Sequence, residues 1–173
     1  MSSDMHFDII IIGTGAGGGT IAHQLAVSGK RVLILERGDF LPRERENWDT
    51  KAVFEDKRYL AQETWYDKND QPFAPYTHYW VGGNTKFYGA ALLRMREHDF
   101  GEVRHFGGIS PTWPITYLEL EPYYTRAERM YNVHGERGLD PHDPWASARY
   151  PQSPLPAEPR IKELFDDITA LGH

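Results

Sequence analysis

Cysteine is absent from the 173 residues. Its absence removes disulfide scaffolds, thiolate zinc sites, cysteine nucleophiles and cysteine-ligated iron–sulfur clusters together. Long apolar runs are absent too: uninterrupted aliphatic stretches such as Ile9–Ile12 reach four residues at most, against the roughly 20 that a membrane-spanning helix needs. Positive charge is in deficit. Lys and Arg number 19 against 25 Asp and Glu, a formal net charge of −6 with no long basic run, which argues against nucleic acid or an anionic membrane as partner. The opening residues MSSDMHFD lack a basic segment followed by an apolar one, so no secretory signal is read and a soluble, cytoplasmic protein is expected. There is also no Walker lysine, no G-x-S-x-G elbow and no H-E-x-x-H pair.

Aromatics make up 13% of the chain beside 16 Gly and 12 Pro, which suits packed surfaces joined by many turns. From Phe7 to Gly38 an apolar run, a glycine-rich turn, a short amphipathic stretch and a second apolar run succeed one another, the pattern of a βαβ unit. Asp39 to Thr77 is charged and aromatic, with Asp67-Lys68-Asn69-Asp70 as a hairpin turn between Glu63–Tyr66 and Phe73–Tyr79. Thr116 and Glu119 form a capping box ahead of Leu120, Tyr124, Ala127 and Tyr131 on one face. Pro122 predicts an interruption, with a turn at Tyr117–Leu120 and a helix that starts at Pro122. Pro141 to Pro159 holds 6 of the 12 prolines and reads as an extended connector. After it, Ile161, Leu164, Phe165 and Ile168 fall at helical spacing. A linker followed by one helix makes a poor end for a domain, so the chain is expected to be the N-terminal part of something longer.

The strongest chemistry lies at the front. Ile9–Ile12 reads as a strand buried on both faces of a parallel sheet. Gly13-x-Gly15-x-x-Gly18 follows directly, then Ile21, Ala22, Leu25 and Ala26 as a helix stripe closed by Gly29, then strand Val32–Leu35 and Glu36. Gly13 permits the tight turn, Gly15 lets the backbone approach a pyrophosphate, and Gly18 lets helix and strand pack closely. The free N–H groups around Thr14, Ala16 and the helix start, with the positive end of the helix dipole, would hold a diphosphate. Glu36 would accept from ribose hydroxyls and repel a 2′-phosphate, which disfavours NADP. Strand, turn, helix, strand and acid all fall at the expected spacing, so the fold class is α/β with a Rossmann-like dinucleotide-binding unit.

The fingerprint alone leaves FAD and NAD open, since both share the ADP half. Two features lean towards flavin: the Glu36-Arg37-Gly38 ending, and the lack of a second βαβ pair after it. A second ligand loop, Val81-Gly82-Gly83-Asn84-Thr85-Lys86-Phe87-Tyr88-Gly89-Ala90-Ala91-Leu92-Leu93-Arg94, places two glycines before small polar residues, as a backbone nest would. A tight turn into a helix or strand explains the same composition.

Taken with the front fingerprint, Gly82-Gly83-Asn84-Thr85, Gly89 and Arg94 resemble the G-G-S-S-x-x-N-G-x-x-x-x-R pattern of the glucose–methanol–choline (GMC) flavin oxidoreductases. Trp113-Pro114-Ile115-Thr116 through Glu121-Pro122-Tyr123-Tyr124 is similar to a segment of some bacterial members. The resemblance implies the N-terminal part of an FAD-binding domain over 1–140, followed by the proline-rich connector at 141–159 and the start of a further segment at 160–173. It implies that Gly82 to Ala91 lies against the flavin and that an alcohol or sugar is oxidised by hydride transfer to it. Tyr88 stands where the family has asparagine. Phe87 stands where some members carry a flavin-linking histidine, so non-covalent FAD is expected. The family's histidine base has no counterpart in this sequence, so no catalytic residue is assigned. The electron acceptor stays open among oxygen, a quinone and a cytochrome.

Other candidates have plainer readings. His98, Asp99 and His105 do not fit standard metal-ligand spacing. His78 suits flavin or substrate contact, or packing with Tyr76, Tyr79 and Trp80. Lys86 suits a flavin phosphate or solvent. An NAD-dependent dehydrogenase, or a truncated chain that binds nucleotide without turnover, remains the alternative.

Overall fold

The computed structural model describes residues 6–87 and 91–172. They divide into two compact units at Ala90/Ala91.

In the first unit, β1 (Ile9–Ile12) and β2 (Val32–Leu35) pair in parallel with Ile9 opposite Val32 and Ile12 opposite Leu35. The right-handed connection expected for parallel strands runs through α1 (Ala16–Leu25). The expected burial of β1 on both faces is not found. Ile11 is buried, while Ile10 and Ile12 are 59% and 85% exposed, because among the described residues the sheet has only two strands. Beyond β2, Gly38 lets the chain at Tyr79 pass close by: a Cβ there would stand 1.9 Å from the Tyr79 carbonyl oxygen. Asp39 and Trp80 form a parallel bridge, and the Val81 amide donates to the Asp39 carbonyl at 3.0 Å. The hairpin expected around 67–70 is present as β3 (Trp65–Tyr66) against β4 (Pro72–Phe73). Asp67 Oδ1 accepts from the Asn69 and Gln71 amides to close it.

The second unit holds a hairpin of β5 (Val103–His105) and β6 (Gly108–Ser110) with α2 (Tyr117–Met130) and α3 (Pro159–Ala170). Sequence reading found the capping box of α2, in which the Thr116 side chain accepts from the Glu119 amide and Glu119 accepts from the Thr116 amide at 2.7 Å. The break expected at Pro122 is absent; α2 runs through it. Proline removes one intrahelical hydrogen bond, but Tyr117 before it and Glu121 beside it both bond to the same guanidinium, that of Arg94.

Arg94 organises this unit. It is buried, and its five N–H groups are matched by five contacts: two with Glu128 at 2.7 Å, and one each with Tyr117, Glu121 and Thr125 at 3.0 Å. Arg137 also donates to both Glu128 oxygens at 2.7 Å. The buried face of α2 is therefore Tyr117, Glu121, Thr125 and Glu128, rather than the apolar stripe read from the sequence. The proline-rich stretch 141–158 has no helix or strand, yet it is tied to α2: Ser147 donates to Glu121, and Trp145 and Ala148 supply carbonyls to Tyr117 and Arg137. The helix expected after it is α3, which buries no residue. His98 pairs with Asp99, and His105 meets Ser110 at 3.2 Å.

Burial by itself pushes the Glu121 carboxyl up. The Ser147 amide, Arg94 and Thr125 outweigh it and hold the group at about 2. Glu128 is likewise burdened by burial and held below its ordinary value by Arg94 and Arg137. Both groups take up protons more readily in the unfolded chain, so their stabilisation is full above about pH 4.5 and lost as pH falls towards 2. The urea midpoint is expected to drop over that window, and Glu121→Gln to shrink the drop. Arg94→Met would leave Glu128 with Arg137 as its one cation and the Glu121 carboxylate with none, at a cost of about 3–5 kcal/mol in urea denaturation.

Candidate dinucleotide-binding site

The glycine turn is built as the fingerprint requires. Gly13 has φ +89°, a left-handed backbone that glycine accepts without strain. A Cβ on Gly18 would fall 2.0 Å from the Gly13 carbonyl oxygen and 3.2 Å from Ile11 Cγ2, so only glycine lets α1 lie this close to β1. A Cβ on Gly13 or Gly17 would meet nothing within 4 Å, so the turn has an open side. Gly15 is the N-cap of α1; no side chain caps the helix, and its first turn holds no acidic residue. The amides of Ala16 and the next residues thus form a positive helix end suited to an anion.

Glu36 sits at the end of β2 and reaches back to that turn. Its Oε2 accepts from the Thr14 amide at 2.8 Å and from the Thr14 hydroxyl at 2.5 Å, and its Oε1 accepts from the Gly38 amide at 3.0 Å. The Thr14 hydroxyl, the Gly38 amide and the Thr14 amide hold the Glu36 carboxyl at about 2, down from 4.5, so it is ionised at neutral pH. Thr14 Oγ1 in turn accepts from the Gly82 amide at 2.8 Å, joining segments 68 residues apart.

The second loop meets the first at this point. Gly82 and Gly83 have φ +100° and +57°, and a single 3-10 turn runs Gly83–Lys86. A Cβ on Gly83 would lie 3.5 Å from the Gly15 Cα. Thr85 Oγ1 donates to the Gly82 carbonyl, and Asn84 Oδ1 accepts from the His78 amide at 2.9 Å. Thr85 therefore braces the loop from within, and Asn84 ties it to the segment before it.

Gly13, Thr14, Gly15, Ala16, Gly18, Glu36, Gly82, Gly83, Asn84 and Thr85 are thus gathered in one place. The Arg37 side chain is engaged elsewhere, paired with Glu63 and 3.6 Å from the centroid of the Tyr79 ring. Tyr88, Gly89 and Ala90 lie outside the described residues, and Ala91 opens the second unit. The His78 ring lies against Phe87, tilted 36° with centroids 3.9 Å apart, and burial lowers its pKa. Sequence reasoning missed the Glu36–Thr14–Gly82 chain of hydrogen bonds. Its signal was a threonine directly after the first fingerprint glycine, a residue able to donate and accept at once.

This is the geometry of a Rossmann-like dinucleotide-binding unit, and a family model described as an NAD(P)-binding Rossmann-like domain matches residues 11–42. Paromamine 6′-oxidase of Streptomyces fradiae is 33% identical over 173 residues, covering 98% of this chain and 30% of its own. 6‴-Hydroxyparomomycin C oxidase of Streptomyces lividus is 34% identical over 141 residues (78% of this chain, 24% of that protein). The fructose dehydrogenase large subunit of Gluconobacter japonicus is 29% identical, with coverage of 95% and 34%. Among solved structures, pyridoxine 4-oxidase from Mesorbium loti shares the fold, at a TM-score of 0.55 and 17% identity over 96% of this chain and 32% of that one. The relatives matched by sequence are GMC-family oxidoreductases, and this chain is similar to their N-terminal part. The chain spans about a quarter to a third of these relatives' length.

Two neighbouring glycines separate packing from simple flexibility. Gly18→Ala is expected to destabilise the chain by about 1–3 kcal/mol through overpacking. Gly17→Ala meets open space and is expected to be neutral or to add up to about 1 kcal/mol of helix propensity. Urea denaturation of the two variants side by side checks the contrast.

Proposed function

We propose that this chain is the FAD-binding portion of a GMC-like oxidoreductase that oxidises a CH–OH group of a small alcohol or sugar. The observation that carries the reading is the 2.8 Å hydrogen bond from the Gly82 amide to Thr14 Oγ1, which sets a second glycine loop beside the dinucleotide fingerprint. Bound FAD supplies a hydride acceptor. The open side of Gly13 and Gly17 and the uncapped start of α1 suit its diphosphate. Both Thr14 donors already point to Glu36, so the donors left for that diphosphate are the amides from Gly15 to Gly18, and Thr14 braces the turn.

Glu36 serves the adenosine ribose. Its Oε1 carries the Gly38 bond and keeps acceptor capacity for a hydroxyl, since an ionised carboxylate oxygen has two lone pairs. Its negative charge opposes a 2′-phosphate. The Gly82–Thr85 turn would face the flavin ring. Phe87 offers no nucleophile for attachment, which supports non-covalent binding. The paromamine, fructose and pyridoxine relatives suggest a polyol, sugar or ring-borne alcohol as substrate.

The test is the visible absorption spectrum of the chain after incubation with FAD and desalting. Retained flavin bands are expected. Thr14→Val and Glu36→Gln should each weaken FAD affinity about tenfold, the equivalent of about 1.4 kcal/mol. Retention of NAD in place of FAD, or of neither, overturns the reading.

A further inference from the structure

Within the first unit a cavity of about 580 Å³ opens beside the Gly83–Lys86 turn, walled by Trp48, Tyr59, Tyr76 and Phe87. Its size matches a small-molecule site rather than a packing defect. The rings of Tyr59 and Phe87, tilted 33° to each other with centroids 5.7 Å apart, form an aromatic side of the cavity.

The electrostatics are lopsided. Lys57 and Lys86 both line the cavity. The Lys86 ammonium makes no hydrogen bond or ion pair with a described residue, and the Lys57 ammonium has only the Tyr76 ring, at 5.2 Å. Against them stands one carboxylate, Asp49, whose Oδ1 already accepts from the Lys51 and Ala52 amides.

The backbone is strained at the same place. Among the described residues four non-glycines have positive φ, and two of them, Lys57 at +52° and Tyr76 at +51°, line this cavity. Such conformations persist where surrounding structure holds them, and they gather at ligand sites.

We propose that this cavity binds a small planar aromatic anion of the aromatic carboxylate class, its ring against the Tyr59–Phe87 wall and its charge between Lys57 and Lys86. An aromatic face and an unpaired ammonium are complementary to the two halves of such a ligand. The assignment stands on these residues and does not rest on the flavin reading.

The probe is 2-naphthoate, titrated into the full chain and followed by Trp fluorescence and calorimetry, with 2-naphthalenemethanol as the neutral counterpart. The carboxylate is expected to saturate one site at least tenfold more tightly than the alcohol. Lys57→Met with Lys86→Met should erase that difference, and Leu60→Trp, which fills the cavity, should abolish binding of both. Circular dichroism and the melting temperature report that each variant is folded. Equal affinity for the two probes, indifference to the substitutions, or one-for-one displacement of naphthoate by FAD overturns the proposal. Flavin retention is read separately by absorbance, so failure of one proposal is distinguishable from failure of the other.

Discussion

The Glu36 carboxylate accepts from the Thr14 amide and hydroxyl and from the Gly38 amide, so one side chain fixes the turn before α1 and the turn after β2. Through Thr14 the same charge orients the acceptor that receives the Gly82 amide. Hydrogen bonds to an ionised group are about twice as strong as neutral ones, and here they run in series. The consequence for ligand chemistry is a division of labour. On the proposed reading, Oε2 would stay with Thr14 and Oε1, beside its Gly38 bond, would offer its remaining lone pair to sugar hydroxyls, while the anionic part of a dinucleotide would be left to backbone amides at the start of α1. A carboxylate and a diphosphate can then share a small site without meeting.

The second unit is held by a different device. Among the described residues its buried side chains are mostly polar, namely Arg94, Glu121, Thr125 and Glu128, with Tyr117 and Phe100 as the apolar partners. Such a cluster adds little net stability over an apolar one of equal volume, but breaking it is costly. It also makes register exact, since a guanidinium with five directed donors accepts only one arrangement of partners. That explains how α2 carries Pro122 through its second turn: the helix is positioned from outside by Arg94 and from its N-terminus by Thr116 and Glu119.

What was legible in the sequence was local. Strand, glycine turn, helix and strand from Ile9 to Leu35 follow from residue spacing, as do the turn at Asp67–Asp70 and the capping box at Thr116. What was not legible was long-range and polar. An apolar stripe is visible as a period, whereas the pairing of Arg94 with carboxylates 27 and 34 residues away has no period. Likewise Glu36 reads as a ribose ligand from position alone, and nothing local says that Thr14 takes half of it. Exposure of Ile10 and Ile12 was missed for the converse reason, since an aliphatic run reports a preference for burial and not the presence of a cover.

The tie between Thr14 and Gly82 also has a bearing on the order in which the chain folds. Closing the 68 residues between them costs only about 1 kcal/mol more than closing the 22 between Thr14 and Glu36, because loop entropy grows with the logarithm of length. The equilibrium is therefore little affected, but the sequence of events is. The β1–α1–β2 unit assembles from near neighbours, and the second glycine loop joins only after its partner surface exists. Weakening that late contact would leave the rate of folding nearly unchanged and quicken the opening of the site. The junction of the two loops would then behave as a latch, first to release when the unit loosens.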